Sequence, residues 1–140
     1  MVPKAEKKIP DFLSLEEARE IVTVLETYPF SRLERSRNKV IIGLLMYAGL
    51  RRGELLRLKV GDVDLIERRI KINLSKGKKD RVVCMHPTLC SWISRYLVYR
   101  GKRKIDSLLV CSLRPDTPFS NKGLQSLFKI LKETCRIGRP

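Results

Sequence analysis

Two clusters of charged residues in this chain have the types and spacing to handle a phosphate. The first is Ala48-Gly49-Leu50-Arg51-Arg52-Gly53-Glu54-Leu55. Arg51 follows a glycine turn at the start of a helical pattern, and Glu54, three residues on, shares its face. A guanidinium is planar and permanently charged, so it can grip a phosphate through two hydrogen bonds, and a helix N-terminus adds N–H donors. Glu54 could hold the Arg51 guanidinium in place from behind. The plainer reading is an Arg–Glu pair on a solvated helix face. The second cluster is Lys76-Gly77-Lys78-Lys79-Asp80-Arg81. A lysine on a β-turn could reach a nucleic-acid backbone and, once desolvated, donate a proton to a leaving oxygen. Here the plainer reading is an edge hairpin kept soluble by charge.

The surrounding pattern says what must hold these clusters. Ser14 and Glu17 have capping-box spacing, with Leu13 placed to staple onto Ala18, and Ala18, Ile21, Val22 and Leu25 make one apolar stripe. Tyr28-Pro29-Phe30 ends this first helix, and residues 31–39 read as a basic connector with Arg32, Arg35, Arg37 and Lys39. From Asn38 to Ala48 the chain is apolar on nearly every face, as in a central buried helix, and Gly49 stops it. A short helix is expected from Arg51 to Leu58. The period then switches to two at Ile70, Ile72 and Leu74, and Arg81 to Met85 reads as the returning strand of a lysine-tipped hairpin. Pro87 opens another helix with Leu89, Trp92, Ile93, Tyr96 and Leu97 inward and Gly101 closing it; Ser120 caps a last helix carrying Leu124, Leu127, Phe128 and Leu131. The expected fold is mainly α with a small antiparallel β-hairpin, in the order α-α-α-β-β-α-α.

Composition narrows the function. Thirty Lys and Arg against fifteen Asp and Glu give +15, the balance of a polyanion binder. The charge is uneven: residues 11–30 carry five acids and one base, so a polyanion would meet the later segments. The longest apolar run, Val40 to Ala48, is about half of the ~20 residues a membrane span needs, so no membrane partner is expected. Met1 to Lys8 lack the apolar stretch of a secretory signal. Cys84, Cys90, Cys111 and Cys135 are widely spaced with one histidine, His86, so neither a metal site nor another cofactor is expected. Reduced, mostly buried thiols in a cytoplasmic protein are the default.

Taken together the two clusters resemble a known family. Tyr47 to Leu58, followed by Val60-Gly61-Asp62-Val63-Asp64, is similar to the first arginine box of the tyrosine recombinases, the phage-integrase family, with its pattern Thr/Ala-Gly-Leu-Arg-x-x-Glu-Leu-x-x-Leu. Leu74 to Val83 resembles the lysine hairpin that follows in those enzymes, and Arg51 and Lys76 lie 25 residues apart in the right order. The resemblance implies DNA recombination or integration through a 3′-phosphotyrosine link on double-stranded DNA, in a prokaryotic or viral cytoplasm at the nucleoid. Arg51 would then clamp the scissile phosphate and stabilise its transition state. Glu54 would be the supporting acid, and Lys76 the general acid that protonates the departing 5′-hydroxyl. Arg52, Arg57, Lys78, Lys79 and Arg81 would bind DNA phosphates.

The same resemblance implies that residues 11–140 are the N-terminal portion of a catalytic domain behind a 1–10 leader. The family's His-x-x-Arg box and nucleophilic tyrosine belong beyond the chain's last residues, and no histidine follows His86. Tyr28, Tyr47, Tyr96 and Tyr99 suit core or helix-surface roles. The chain is therefore expected to bind DNA without cleaving it alone, with the C-terminal half or full-length recombinase subunits as protein partners. The alternative is a helix-turn-helix regulator, with Val40 to Leu58 as two helices around a glycine turn.

Overall fold

Helix α1 (Leu15–Thr27) starts where Ser14 and Glu17 close a capping box: Ser14 Oγ accepts the Glu17 N–H at 3.1 Å and Glu17 Oε1 accepts the Ser14 N–H at 2.9 Å. It buries Ala18, Ile21, Val24 and Leu25; Val22 is only partly covered. The computed structural model describes residues 14–73, 80–101, 104–112 and 117–135. The 1–10 leader, the Leu13 staple, Leu74 and the lysines at 76, 78 and 79 lie outside the described residues.

Residues 31–39 are not a connector. Ser31 and Glu34 form a second capping box, which the basic composition masks, so helix α2 (Arg32–Met46) begins six residues before Asn38, where the apolar pattern starts. Its cations point back into the protein. Arg35 donates to the carbonyls of Leu25, Glu26, Tyr28 and Phe30, closing the open end of α1. Arg37 is buried, bonded to Asn38 Oδ1 and stacked 4.6 Å from the Phe119 ring; burial lowers its pKa. Lys39 pairs with Glu26 and lies over Trp92, and Arg32 lies over Tyr99.

The rest of α2 is the centre of the core: Val40, Ile41 and Leu44 are fully buried. Helix α4 (Pro87–Arg100) lies against it, and Gly43 is where α4 side chains press in: an added Cβ would sit 2.7 Å from Leu89 Cδ1 and 3.1 Å from the Trp92 ring. A central helix buried this deeply cannot lie across a DNA backbone, so the helix-turn-helix alternative is not the architecture formed. Helix α3 (Arg52–Arg57) is short, and Glu54 and Leu55 face inward.

After a single 3-10 turn at Val60–Asp62 come three strands, β1 (Val63–Asp64), β2 (Arg69–Ile72) and β3 (Arg81–Cys84), antiparallel in the order β1-β2-β3. The two-residue β1 is too short to show a period. The turn after it is closed by Asp64 Oδ1, which accepts the N–H groups of Ile66 and Glu67. Register pairs Val63 with Ile70, Ile70 with Val83 and Ile72 with Arg81, so Ile70, Ile72 and Val83 share the core face. His86 is the N-cap of α4, its Nδ1 accepting the Thr88 N–H at 3.1 Å. The segment after α4 returns to the sheet side: Leu109 donates to Leu58 O, and Ser107 O accepts from Val60. Helix α5 (Asn121–Thr134), capped by Ser120, covers the core with Leu124, Leu127 and Leu131.

The thiols differ from expectation. All four are free, but Cys111 and Cys135 are buried, Cys90 is half-buried and Cys84 is exposed at the end of β3. Strand alternation explains this, because Val83 takes the inward position and leaves Cys84 facing out. Burial pushes the Cys135 thiol up to about 11.

Candidate phosphate-gripping site

The site is built where α2 ends. Gly49 takes φ of 70°, a left-handed conformation that costs a residue with a Cβ more than glycine. This turn brings the Leu50 N–H back to Leu44 O at 3.1 Å, so the residue before Arg51 is tied to the core helix. Arg51 is the N-cap of α3 in extended backbone geometry, and its side chain is exposed. Its guanidinium makes no hydrogen bond or ion pair among the described residues.

Glu54 does not hold that guanidinium. Its Oε1 accepts the Arg51 backbone N–H at 2.9 Å, which fixes the main chain at the cap. The rest of the carboxylate receives Arg81: Nη1 donates to Oε2 at 2.6 Å and Nη2 to Oε1 at 3.1 Å. The Glu54 side chain is 4% exposed and that of Arg81 36%. The paired arginine is thus 27 positions further along, on β3, where helical spacing from Glu54 cannot point to it.

Burial acts to raise the Glu54 pKa, but hydrogen bonds from Arg81 and the Arg51 N–H, with the charges of both arginines, outweigh it and leave the carboxyl below its ordinary value. The folded state therefore binds this proton less readily than the unfolded chain. The resulting stabilisation is fully present above the ordinary carboxylate range and disappears as pH falls through the depressed value. Urea titrations of the wild type and Glu54→Gln should show a stability gap at neutral pH that narrows steadily on acidification below about pH 4.5. A gap independent of pH would refute this account of the carboxylate.

The remaining candidate residues surround Arg51 on α3. Arg52 is exposed and its guanidinium carbon lies 5.3 Å above the Phe128 ring of α5. Arg57 is exposed and folds back along the helix; a Cβ on Gly53 would meet its Nη1 at 3.0 Å. A cleft of about 220 Å³ lies between α3 and the sheet, lined by Glu54, Arg57, Asp62, Ile72 and Asn73. Sequence reasoning missed Asp62 and Asn73 here. Asp62 Oδ2 accepts the Lys59 N–H at 3.0 Å and its Oδ1 accepts Asn73 Nδ2 at 3.3 Å. The three-residue spacing from Lys59 to Asp62 was a usable capping signal; the contact to Asn73 had none.

No group of three or more His, Cys, Asp or Glu positioned to hold a metal occurs among the described residues, and none of their helices is long and apolar enough to cross a membrane. Three of the four tyrosines pack against the core, while Tyr99 is exposed at the surface of α4. Tyr96 is fully buried with its hydroxyl near the Cys111 N–H, Tyr28 stacks on Phe30, Tyr47 on Trp92, and Tyr99 lies under Arg32.

Comparison with known proteins agrees with this architecture. The model of the phage integrase family matches residues 11–138. The tyrosine recombinase XerD of Staphylococcus haemolyticus is 30% identical over 131 residues, which are 91% of this chain and 43% of that protein. The tyrosine recombinase XerA of Thermococcus kodakarensis is 38% identical over 127 residues, again 91% of this chain and 43% of that protein. The crystal structure of XerA recombinase matches with a TM-score of 0.76 at 29% identity, covering 94% of this chain and 45% of that one. The XerH site-specific recombinase bound to its difH substrate, in a pre-cleavage complex, has the same fold, with a TM-score of 0.74 at 24% identity over 100% of this chain and 41% of its own. The chain spans less than half the length of these relatives. With the family model matched over nearly the whole sequence and relatives in the same family, the chain belongs to the phage integrase family, the tyrosine recombinases.

Proposed function

We propose that this chain supplies the phosphate-gripping part of a site-specific DNA recombinase and binds double-stranded DNA. The observation that carries the proposal is the contrast among its arginines. Arg35, Arg37 and Arg81 are engaged by carbonyls, an amide oxygen and a carboxylate, whereas the exposed Arg51 guanidinium has no such partner among the described residues and its backbone is fixed by Glu54. A cation fixed at its root and free at its tip can meet a phosphate without first breaking an internal pair. Arg51 is then the clamp on the scissile phosphate, with Lys76 as the general acid and Lys78, Lys79, Arg52 and Arg57 on neighbouring phosphates. The net charge of +15 favours capture of a duplex at the nucleoid.

Cleavage requires a tyrosine nucleophile. Tyr96 is buried and Tyr28, Tyr47 and Tyr99 lie in ring or cation contacts, which supports the reading that this chain does not cleave DNA alone. The remaining part of a recombinase, or intact subunits, would complete the site.

Binding to a fluorescent duplex across a salt series tests the first half. Arg51→Ala should weaken binding and reduce the log–log salt slope by ~0.9, the contribution of one phosphate contact. An unchanged slope would remove Arg51 from the DNA interface. Incubation with nicked suicide DNA and denaturing electrophoresis tests the second half. No covalent adduct is expected, and a tyrosine-linked one would disprove inactivity.

A further inference from the structure

The two strands flanking the lysine-rich segment 74–79 are fastened by similar devices. On the β3 side, Arg81 donates both terminal nitrogens to Glu54, at 2.6 and 3.1 Å. Just past β2, Asn73 donates to Asp62 at 3.3 Å. Each accepting carboxylate has a second duty. Glu54 caps the Arg51 N–H at the start of α3, and Asp62 caps the Lys59 N–H at the start of the 3-10 turn. The carboxylates that set the backbone at Arg51 and at Lys59 therefore also set the positions of residues 73 and 81, which bracket the segment 74–79.

This arrangement changes what Arg81 can do. Its charge is matched by an almost fully buried carboxylate, and two faces of its fork are already occupied. A guanidinium neutralised in this way displaces few counterions from a duplex, so it adds little to a phosphate interface. Asn73 carries no charge at all. We infer that Arg81 and Asn73 are positioning residues that hold the root of the hairpin against the arginine box, and that Arg81 is not a phosphate contact. The inference rests on the DNA-gripping reading above and assigns the two residues a role within it.

The test uses the whole chain, a fluorescent duplex of mixed sequence and a salt series, with far-UV circular dichroism confirming folding at the assay temperature. Arg81→Gln should weaken binding about 5- to 10-fold with an unchanged salt slope, because the number of phosphates neutralised stays the same. Arg81→Lys keeps the charge but loses the two-pronged geometry, so it should weaken binding about as much as Arg81→Gln. Asn73→Ala, a change at an exposed side chain, should also weaken binding a few-fold at constant slope, and it keeps the test open if an Arg81 variant does not fold. A slope reduced by ~0.9 in Arg81→Gln and restored in Arg81→Lys would overturn the inference and make Arg81 a phosphate contact. Full affinity in folded Arg81 and Asn73 variants would also overturn it, leaving these bonds a purely structural role. Failure of the DNA reading looks different: the wild type would not bind, or Arg51→Ala would keep the wild-type slope.

Discussion

Glu54→Ala should destabilise the protein by about 3 kcal/mol, measured as a lowered urea midpoint at neutral pH. The substitution removes three accepted hydrogen bonds at once: the Arg51 N–H and both prongs of Arg81. The partner left behind decides the magnitude. Arg81 is 36% exposed at its side chain and can turn to water, so the penalty of a stranded buried cation is largely avoided. The cap lost at Arg51 adds about 1 kcal/mol. Glu54→Gln separates the contributions, since its amide oxygen can still cap Arg51 while the charge pair is gone; its cost should be about half that of alanine. DNA affinity should fall in both variants even where they remain folded, because the main chain at Arg51 and the foot of β3 lose their common anchor. Equal stability of the wild type and Glu54→Ala would show that the pair's attraction only balances its desolvation.

Leu44→Ala should cost about 3 kcal/mol and lower the melting temperature by roughly 10 °C. Leu44 is fully buried on the central helix, where α4 packs closely, and little can move in to fill the space it leaves. Its backbone carbonyl accepts the Leu50 N–H ahead of Arg51, and that bond survives the substitution. The DNA salt slope should therefore match the wild type at temperatures where the variant is folded. This contrasts with Arg51→Ala, which removes an exposed side chain and should change the slope with little effect on stability. A Leu44→Ala midpoint within 2 °C of the wild type, well inside the shift expected for 1 kcal/mol, would mean that the core around α2 repacks freely.

Much of the fold was legible in the chain because its signals are local. Ser14 and Glu17, the apolar run ending at Gly49, the alternation of Ile70 and Ile72, Pro87 at the first turn of α4 and Ser120 before α5 each act within a few residues. A capping box needs only three-residue spacing, and a strand period only four positions. The start of α2 was missed for a related reason. Arg32, Arg35, Arg37 and Lys39 looked like a solvated linker, and nothing local shows that three of them would turn inward onto carbonyls, an amide and a carboxylate.

The candidate site divides in the same way. Sequence alone determined that Arg51 opens a short helix behind a glycine turn, that Glu54 lies three residues on, and that two paired strands follow, because these depend on backbone preference and neighbour spacing. Only the tertiary structure decided that Glu54 receives Arg81 rather than the Arg51 side chain, that Asp62 receives Asn73, and that the Arg51 guanidinium has no hydrogen bond or ion pair among the described residues. Those pairings join residues 11 and 27 positions apart. They exist because folding brings β3 and the end of β2 to these carboxylates, and the buried Glu54 in particular must take whichever donors the packing brings within reach.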